Sequence, residues 1–289
     1  MNTINLNKIL LQQIEINQYN IDVLRLDLIH PIISGNKWFK LKYYIEEFNN
    51  QDKNIIATFG GAYSNHIVAT AYTCKELHIN SVGFIRGEKP TILSHTLENA
   101  IKYGMKLHFL SRDEYKKKEK IIENHNPFYF IPEGGFGELG TKGSSEILDL
   151  VSKNTYSHIL CSVGTGTMIA GIINSSTNKQ NVIGINILKG NTSINSEINS
   201  LIIENKKYTI LNDYHFGGYA KKTDDLLHFM NNFCNKHKIP TDFVYSGKLM
   251  YALQDLCFKK YFSPTDKILA IHCGGLQGNV SLPKNSLSF

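Results

Sequence analysis

Lys37 stands in Ser34-Gly35-Asn36-Lys37-Trp38-Phe39-Lys40, directly after a glycine turn and beside the only tryptophan of the chain. Aromatic neighbours strip water from an ammonium and lower its pKa. The neutral amine then favoured is the form that adds to a carbonyl to make a Schiff base. The same residues equally describe a helix-start lysine whose charge points to solvent, so this segment alone decides nothing. A second stretch, Gly60-Gly61-Ala62-Tyr63-Ser64-Asn65-His66, falls between an apolar run and a helical pattern. Free backbone N–H groups and the helix dipole there attract an anion such as a carboxylate. Ser64 and Asn65 are also ordinary helix caps, and a histidine in a first helical turn, as His66 is, is commonly a surface residue.

A third stretch, Ser162-Val163-Gly164-Thr165-Gly166-Thr167-Met168, is a buried-strand pattern, a glycine-threonine loop and then a helix without charges. Glycine lets the backbone close on a phosphate, and the hydroxyls of Thr165 and Thr167 add donors. The spacing also approaches a dinucleotide fingerprint, which keeps an NAD(P)-binding oxidoreductase as a competing reading. Against it, no acidic residue closes the next strand (Ile185-Asn186-Ile187), and no lysine follows as in a P-loop. An ordinary tight turn is the third reading. Tyr245-Ser246-Gly247-Lys248 and His272-Cys273-Gly274-Gly275 supply a hydroxyl pair and another glycine loop. Tyr245 also reads as a core aromatic, and Cys273 has no activating partner in sequence that would make it a nucleophile.

The elements that must position these residues alternate. The patterns predict a helix running from Lys37 to Phe48, a strand over Ile55–Phe59 and a helix over 64–78. Next come a strand at 81–85, a helix at 93–103, a strand at 106–110, a helix at 112–124 and a strand at 128–131. The order restarts with a strand at 158–162, a helix from Met168 and a strand at 182–187. It ends with helices at 224–236 and 248–259 and a strand at 267–272. Such alternation demands parallel sheets covered by helices. The expected division is a small inserted αβ domain over 46–152, with 1–45 and 153–289 forming the larger domain and a cleft between them as the site.

A chain of 289 residues with 42% hydrophobic content can bury one large core or two medium ones. Its formal charge of +6 is spread along the sequence. The one dense run, Lys116-Lys117-Lys118, sits among Glu114, Glu119 and Glu123, which marks a solvated helix face and not a nucleic-acid patch. The five cysteines, Cys74, Cys161, Cys234, Cys257 and Cys273, form neither a disulfide framework nor a metal-ligand spacing. No metal is expected, and a reducing cytoplasm is the expected home. Neither a signal peptide pattern nor an apolar run of spanning length is present, so no membrane partner is expected.

Taken in order, these segments resemble the fold type II enzymes that use pyridoxal 5′-phosphate (PLP), within them the family of 1-aminocyclopropane-1-carboxylate (ACC) deaminases and D-cysteine desulfhydrases. The resemblance runs through Gly35-Asn36-Lys37 with Lys40-Leu41, Gly60 to His66, Pro132-Glu133-Gly134-Gly135, Gly164 to Thr167, Tyr245 to Lys248 and His272 to Gly275. It implies an α/β fold of two three-layer αβα lobes with mainly parallel sheets, like the tryptophan synthase β chain. It implies that Lys37 holds PLP as a Schiff base, that Lys40 and the amides of Gly164, Thr165, Gly166 and Thr167 hold its phosphate, and that Asn65 faces its 3′-oxygen. Ser64, Asn65 and His66 would receive the carboxylate of a small amino-acid substrate, with Ser64 able to move protons. Tyr245 and Tyr219 match positions of active-site tyrosines, although Ala220 and Lys221 replace the glycine and proline that usually follow the second. A homodimer is implied as well.

Two positions separate activities inside the family. ACC deaminases carry a glutamate after the motif tyrosine, where it keeps the pyridine nitrogen protonated. Here the residue is Ser246, whose neutral hydroxyl suits β-elimination of a good leaving group such as thiolate. The residue after Ser64-Asn65 is His66, as in the desulfhydrases, where ACC deaminases have glutamine. The expected reaction is therefore D-cysteine desulfhydrase-like, giving a 2-oxo acid, ammonia and sulfide, with hydrolytic deamination of ACC as the alternative.

Overall fold

The computed structural model describes residues 4–204 and 206–289. Strands β1 (Leu10–Ile16) and β2 (Tyr19–Arg25) form an antiparallel hairpin. Its two turn residues, Asn17 and Gln18, both take positive φ (45° and 70°), the geometry that a two-residue hairpin turn needs. Helix α1 (Asn36–Phe48) follows, then β3 (Ile55–Gly60), α2 (Asn65–Glu76), β4 (Asn80–Arg86), α3 (His95–Lys102), β5 (Lys106–Leu110), α4 (Arg112–Tyr115), α5 (Lys118–Asn124), β6 (Phe128–Ile131) and α6 (Glu138–Ser145). The remainder runs β7 (His158–Val163), α7 (Thr167–Ser175), β8 (Asn181–Asn186), α8 (Ile194–Asn199), β9 (Tyr208–Leu211), α9 (Asp224–His237), α10 (Ser246–Phe258) and β10 (Ile268–His272).

Two sheets result. One has four parallel strands in the order β5-β4-β3-β6, and the other has six in the order β1-β2-β10-β7-β8-β9, parallel except for the hairpin. In β10, Ile268 and Ala270 join the core beneath α9 and α10, while Leu269 and Ile271 join the core beneath α7 and α8. Both faces of the strand are apolar because both are covered, which makes three layers. The smaller sheet is covered likewise, by α1, α2 and α3 on one face and by Tyr115 and Ile121 on the other.

The helix expected over 112–124 breaks at Lys116–Lys117. Tyr115 and Ile121 both pack on the core of Phe59 and Phe84. In a continuous helix, residues six apart lie about 120° apart around the axis, so only a broken helix brings both to the sheet. The hairpin, the intermediate-burial edge strand β9 and the short helices α6 and α8 had no expectation from the sequence. The position where the small domain was expected to begin, residue 46, lies within α1, whose Tyr44, Ile45 and Phe48 pack with Ile56 and Tyr129 of the smaller sheet. Among the described residues no helix is long and apolar enough to cross a membrane.

Candidate active site

The loops after β3, β7 and β10 lie at the carboxyl ends of parallel strands, where open α/β sheets place their ligands. Together with the start of α1 they line a cavity of about 360 Å³. Gly35 fixes the start of α1. Its φ is +63°, and a Cβ added there would lie 1.7 Å from the carbonyl oxygen of Cys273, so no other residue fits. The Asn36 amide donates to that same oxygen at 3.3 Å and the Gly35 amide to Leu26 O at 3.0 Å, which ties the helix to the ends of β10 and β2.

Lys37 therefore enters the cavity from the first turn of α1, and no hydrogen bond or ion pair engages its amine among the described residues. Burial lowers its pKa, with Cys273 and Asp242 opposing. One turn later, Lys40 Nζ donates to Gly134 O at 3.2 Å and to Thr165 Oγ1 at 3.4 Å. Burial and the charge of Lys37 push its pKa well below that of a free lysine.

Lys40 reaches the glycine-threonine loop. Thr165 Oγ1 lies 3.2 Å from Thr167 Oγ1, and a Cβ on Gly134 would come within 2.8 Å of Thr165 Cγ2. Gly166 has φ +77°, and the amides of Gly164, Thr165 and Gly166 are spent on no backbone carbonyl among the described residues. Free amides at the N-terminus of α7, two hydroxyls and a lysine are the donor set that a phosphate requires. An unpaired, desolvated amine stands in the same cavity. The residues fit PLP on both counts.

Ser64 occupies the N-cap position of α2, yet its hydroxyl makes no capping bond and faces the cavity. Asn65 Oδ1 accepts from Gln277 Nε2 at 3.1 Å, leaving the Asn65 side-chain amide nitrogen as a donor. The ring of His66 is differently placed from the expectation. Thr58 Oγ1 donates to Ile131 O at 2.8 Å, so its 2.9 Å contact with His66 Nε2 requires the imidazole N–H to donate to Thr58. His66 is then neutral, with Nδ1 a bare acceptor that has no partner. Burial, Lys37 and Lys40 together push its pKa well below 6.5. An acceptor cannot bind a carboxylate, so only the backbone amide of His66, free in the first helical turn, can serve that role.

Tyr245 and Tyr219 both line the cavity, their rings edge-on with centroids 6.2 Å apart. Burial raises the pKa of both phenols, so they keep their protons at neutral pH. Thr167 opens α7 with its hydroxyl beside that of Thr165, and Ser246 opens α10 next to Tyr245. The Ser246 hydroxyl is fully buried, donating to Asp242 Oδ1 at 2.6 Å and accepting from the Asp242 amide at 2.8 Å. Asp242 also takes the amides of Val244, Tyr245 and Ser246, so the residue after the motif tyrosine serves a turn. The wall also carries Cys273 and Ser162, Sγ to Oγ 3.1 Å.

Arg86, Glu133, Leu188 and Gln277 also line the cavity, and residue chemistry alone did not mark them. Arg86 ends a strand and Glu133 follows one, and Glu133 also stands in the Pro132–Gly135 segment that carries the resemblance. Glu133 is paired with Lys118 at 2.6 Å.

Residues 17–274 match the family described as pyridoxal-phosphate dependent enzyme, which removes the dinucleotide reading of the Gly164 loop. A Thermotoga maritima protein provisionally named as a 1-aminocyclopropane-1-carboxylate deaminase is 29% identical, the comparison covering 90% of each chain. The bifunctional D-cysteine desulfhydrase/1-aminocyclopropane-1-carboxylate deaminase of Arabidopsis thaliana is 27% identical, across 85% of this chain and 70% of its own. A crystal structure described as an ACC deaminase homologue superposes with a TM-score of 0.80 at 24% identity, across 94% of this chain and 90% of the other. The chain belongs to the pyridoxal-phosphate dependent enzymes, in the branch whose members bear the names ACC deaminase and D-cysteine desulfhydrase.

Proposed function

We propose that the chain binds PLP through Lys37 and eliminates the β-substituent of a small amino acid, D-cysteine first among candidates. The observation that carries the reading is the unpaired, desolvated amine of Lys37 in one cavity with the donor set of the Gly164–Gly166 loop. Lys37 would hold the cofactor's aldehyde carbon, while Lys40, Thr165 and the loop amides would hold its phosphate. When bound, PLP supplies an electron sink for negative charge at Cα. The free amides at the start of α2 and the Ser64 hydroxyl receive the substrate carboxylate. Lys37, as a neutral amine, takes the Cα proton, with Ser64 as the alternative carrier, and the protonated phenols of Tyr245 and Tyr219 can donate to a departing thiolate. Water then converts the eliminated product, so that D-cysteine and one water give pyruvate, ammonia and sulfide.

Elimination is favoured over ring opening by the charge of the wall. Glu133 is the one carboxylate among the lining residues and is paired with Lys118, while the nearby Asp242 spends its carboxylate on the Ser246 hydroxyl and three backbone amides. The test is a panel of D-cysteine, L-cysteine, β-chloro-D-alanine and ACC, scored for oxo-acid release, with Lys37→Ala in parallel. The expected result is pyruvate from D-cysteine in excess of 2-oxobutanoate from ACC, and loss in Lys37→Ala of both turnover and the visible absorbance of the bound cofactor. Turnover retained by Lys37→Ala would sink the scheme, and a preference for ACC would move the assignment to the ACC deaminases.

A further inference from the structure

Tyr219 reaches the cavity from two consecutive tight turns. In the first, Gly218 N donates to His215 O at 2.9 Å, and in the second Lys221 N donates to Gly218 O at 3.2 Å. Phe216 and Gly217, at the centre of the first, take φ 50° and 90°, and Ala220 in the second takes 53°. Positive φ at Phe216 and Ala220 costs on the order of 1–3 kcal/mol each and persists only where the surroundings over-determine it.

Those surroundings are one face of α10. Lys248 is fully buried, and its Nζ donates to both turn-opening carbonyls, His215 O at 2.8 Å and Gly218 O at 2.7 Å. One turn along, the Tyr251 ring meets Phe216 edge-on with centroids 4.8 Å apart. One turn further, Asp255 Oδ2 accepts from the Tyr214 hydroxyl at 2.6 Å. Positions 248, 251 and 255 follow the spacing of a single helical stripe, and residues 214–218 lie along it.

We propose that Lys248 is a positioning residue for Tyr219: its ammonium clamps the carbonyls that open both turns and so holds the phenol in the cavity against Tyr245. The proposal rests on the reading above in which Tyr219 acts on the substrate. A buried ammonium is expensive unless hydrogen-bonded, and two charge-assisted bonds to carbonyls are what this one receives. Burial lowers the Lys248 pKa to about 8, with Asp242 opposing, so the amine stays charged at neutral pH. Tyr219 is itself 36% exposed, with the edge-on Tyr245 ring on one side.

The test uses the holoenzyme with D-cysteine and β-chloro-D-alanine as probe substrates. Lys248→Met keeps the apolar stem and removes the donors. Hydrogen–deuterium exchange at the amides of Gly217, Gly218 and Lys221 is expected to rise. The value of kcat/KM is expected to fall by roughly 10- to 100-fold, as for an ångström-scale misplacement, mainly in kcat. If Lys248 acts through Tyr219, the double variant Lys248→Met/Tyr219→Phe loses no more than Tyr219→Phe alone. Multiplicative losses, or exchange unchanged in Lys248→Met, would overturn the proposal. Should Lys248→Met fail to fold, the wild-type protein still decides, because these amides must exchange more slowly than those of the exposed 87–92 loop. A Tyr219→Phe enzyme as active as wild type would instead remove Tyr219 from the reaction and the catalytic half of this proposal with it, while the exchange measurements still judged the clamp.

Discussion

The wall that carries Lys37 and the segment that carries Tyr219 are built on opposite principles. At Lys37 the backbone is fixed by direct contact, since Gly35 leaves no room for a side chain against Cys273 O and adjoining amides close the joint. At Tyr219 the backbone is held away from its preferred conformation by side chains of a distant helix. The first arrangement needs a particular glycine and little else. The second needs a buried cation, an edge-on ring and a strained loop that all agree. Glycine-fixed geometry suits a group whose position must not vary, and a loop clamped from α10 suits one that faces a substrate.

The sharpest way to break this contrast is Gly35→Ala. The added Cβ would meet backbone, which cannot rotate aside, and φ +63° would be strained for alanine whatever the space. Destabilisation of about 3 kcal/mol or more is expected, from the class of changes that force an incompatible residue into a fixed backbone. Chemical denaturation reads it as a lower midpoint at unchanged slope. A loss below about 1 kcal/mol would mean that the α1 joint yields, and that the two regions differ less than their geometry states.

The same difference governs what the sequence disclosed. Gly35, Gly60-Gly61 and the Gly164–Thr167 loop each sit at a turn next to the residues they position, so their types and spacing already pointed to a lysine and an anion cradle in an alternating α/β chain. The strands at 106–110 and 128–131 were legible to the residue for a similar reason, since their apolar runs are short and bounded by turn residues. The partner of Ser246 was not legible, because the residue that engages its hydroxyl, Asp242, acts four positions away through a turn that apolar periodicity does not report. The β1–β2 hairpin was silent because Asn17-Gln18 lacks the glycine that marks such turns. Lys248 was visible only as a letter in a motif, its work being done on carbonyls 30 and 33 residues earlier in the chain.

His66 lies between the two regimes and gives a pH test. Its folded pKa is depressed below 6.5 by burial and two lysine charges, so between those values the unfolded chain binds more protons than the folded one. The contribution to stability is therefore present in full above pH 6.5 and is lost as pH falls through the window beneath it. His66→Gln removes this linkage. The melting temperature of wild type should fall more steeply than that of the variant between pH 7 and pH 5, and equal slopes would place a charged imidazole in the native state.

The smallest effect expected belongs to Ala220, and its sign is the informative part. A left-handed residue with a Cβ costs roughly 1–2 kcal/mol that glycine does not bear, while the Ala220 methyl packs on the core beside α10 and a buried methyl is worth about 0.8 kcal/mol. The balance puts Ala220→Gly at about 0.5–1 kcal/mol more stable, a shift readable in the denaturation midpoint. If the Lys248 clamp alone positions Tyr219, kcat/KM for D-cysteine stays within about twofold of wild type as the strain is relieved. A more stable protein with markedly lower turnover would mean that the strain at position 220 itself aims the phenol, and that the loop is sprung as well as clamped.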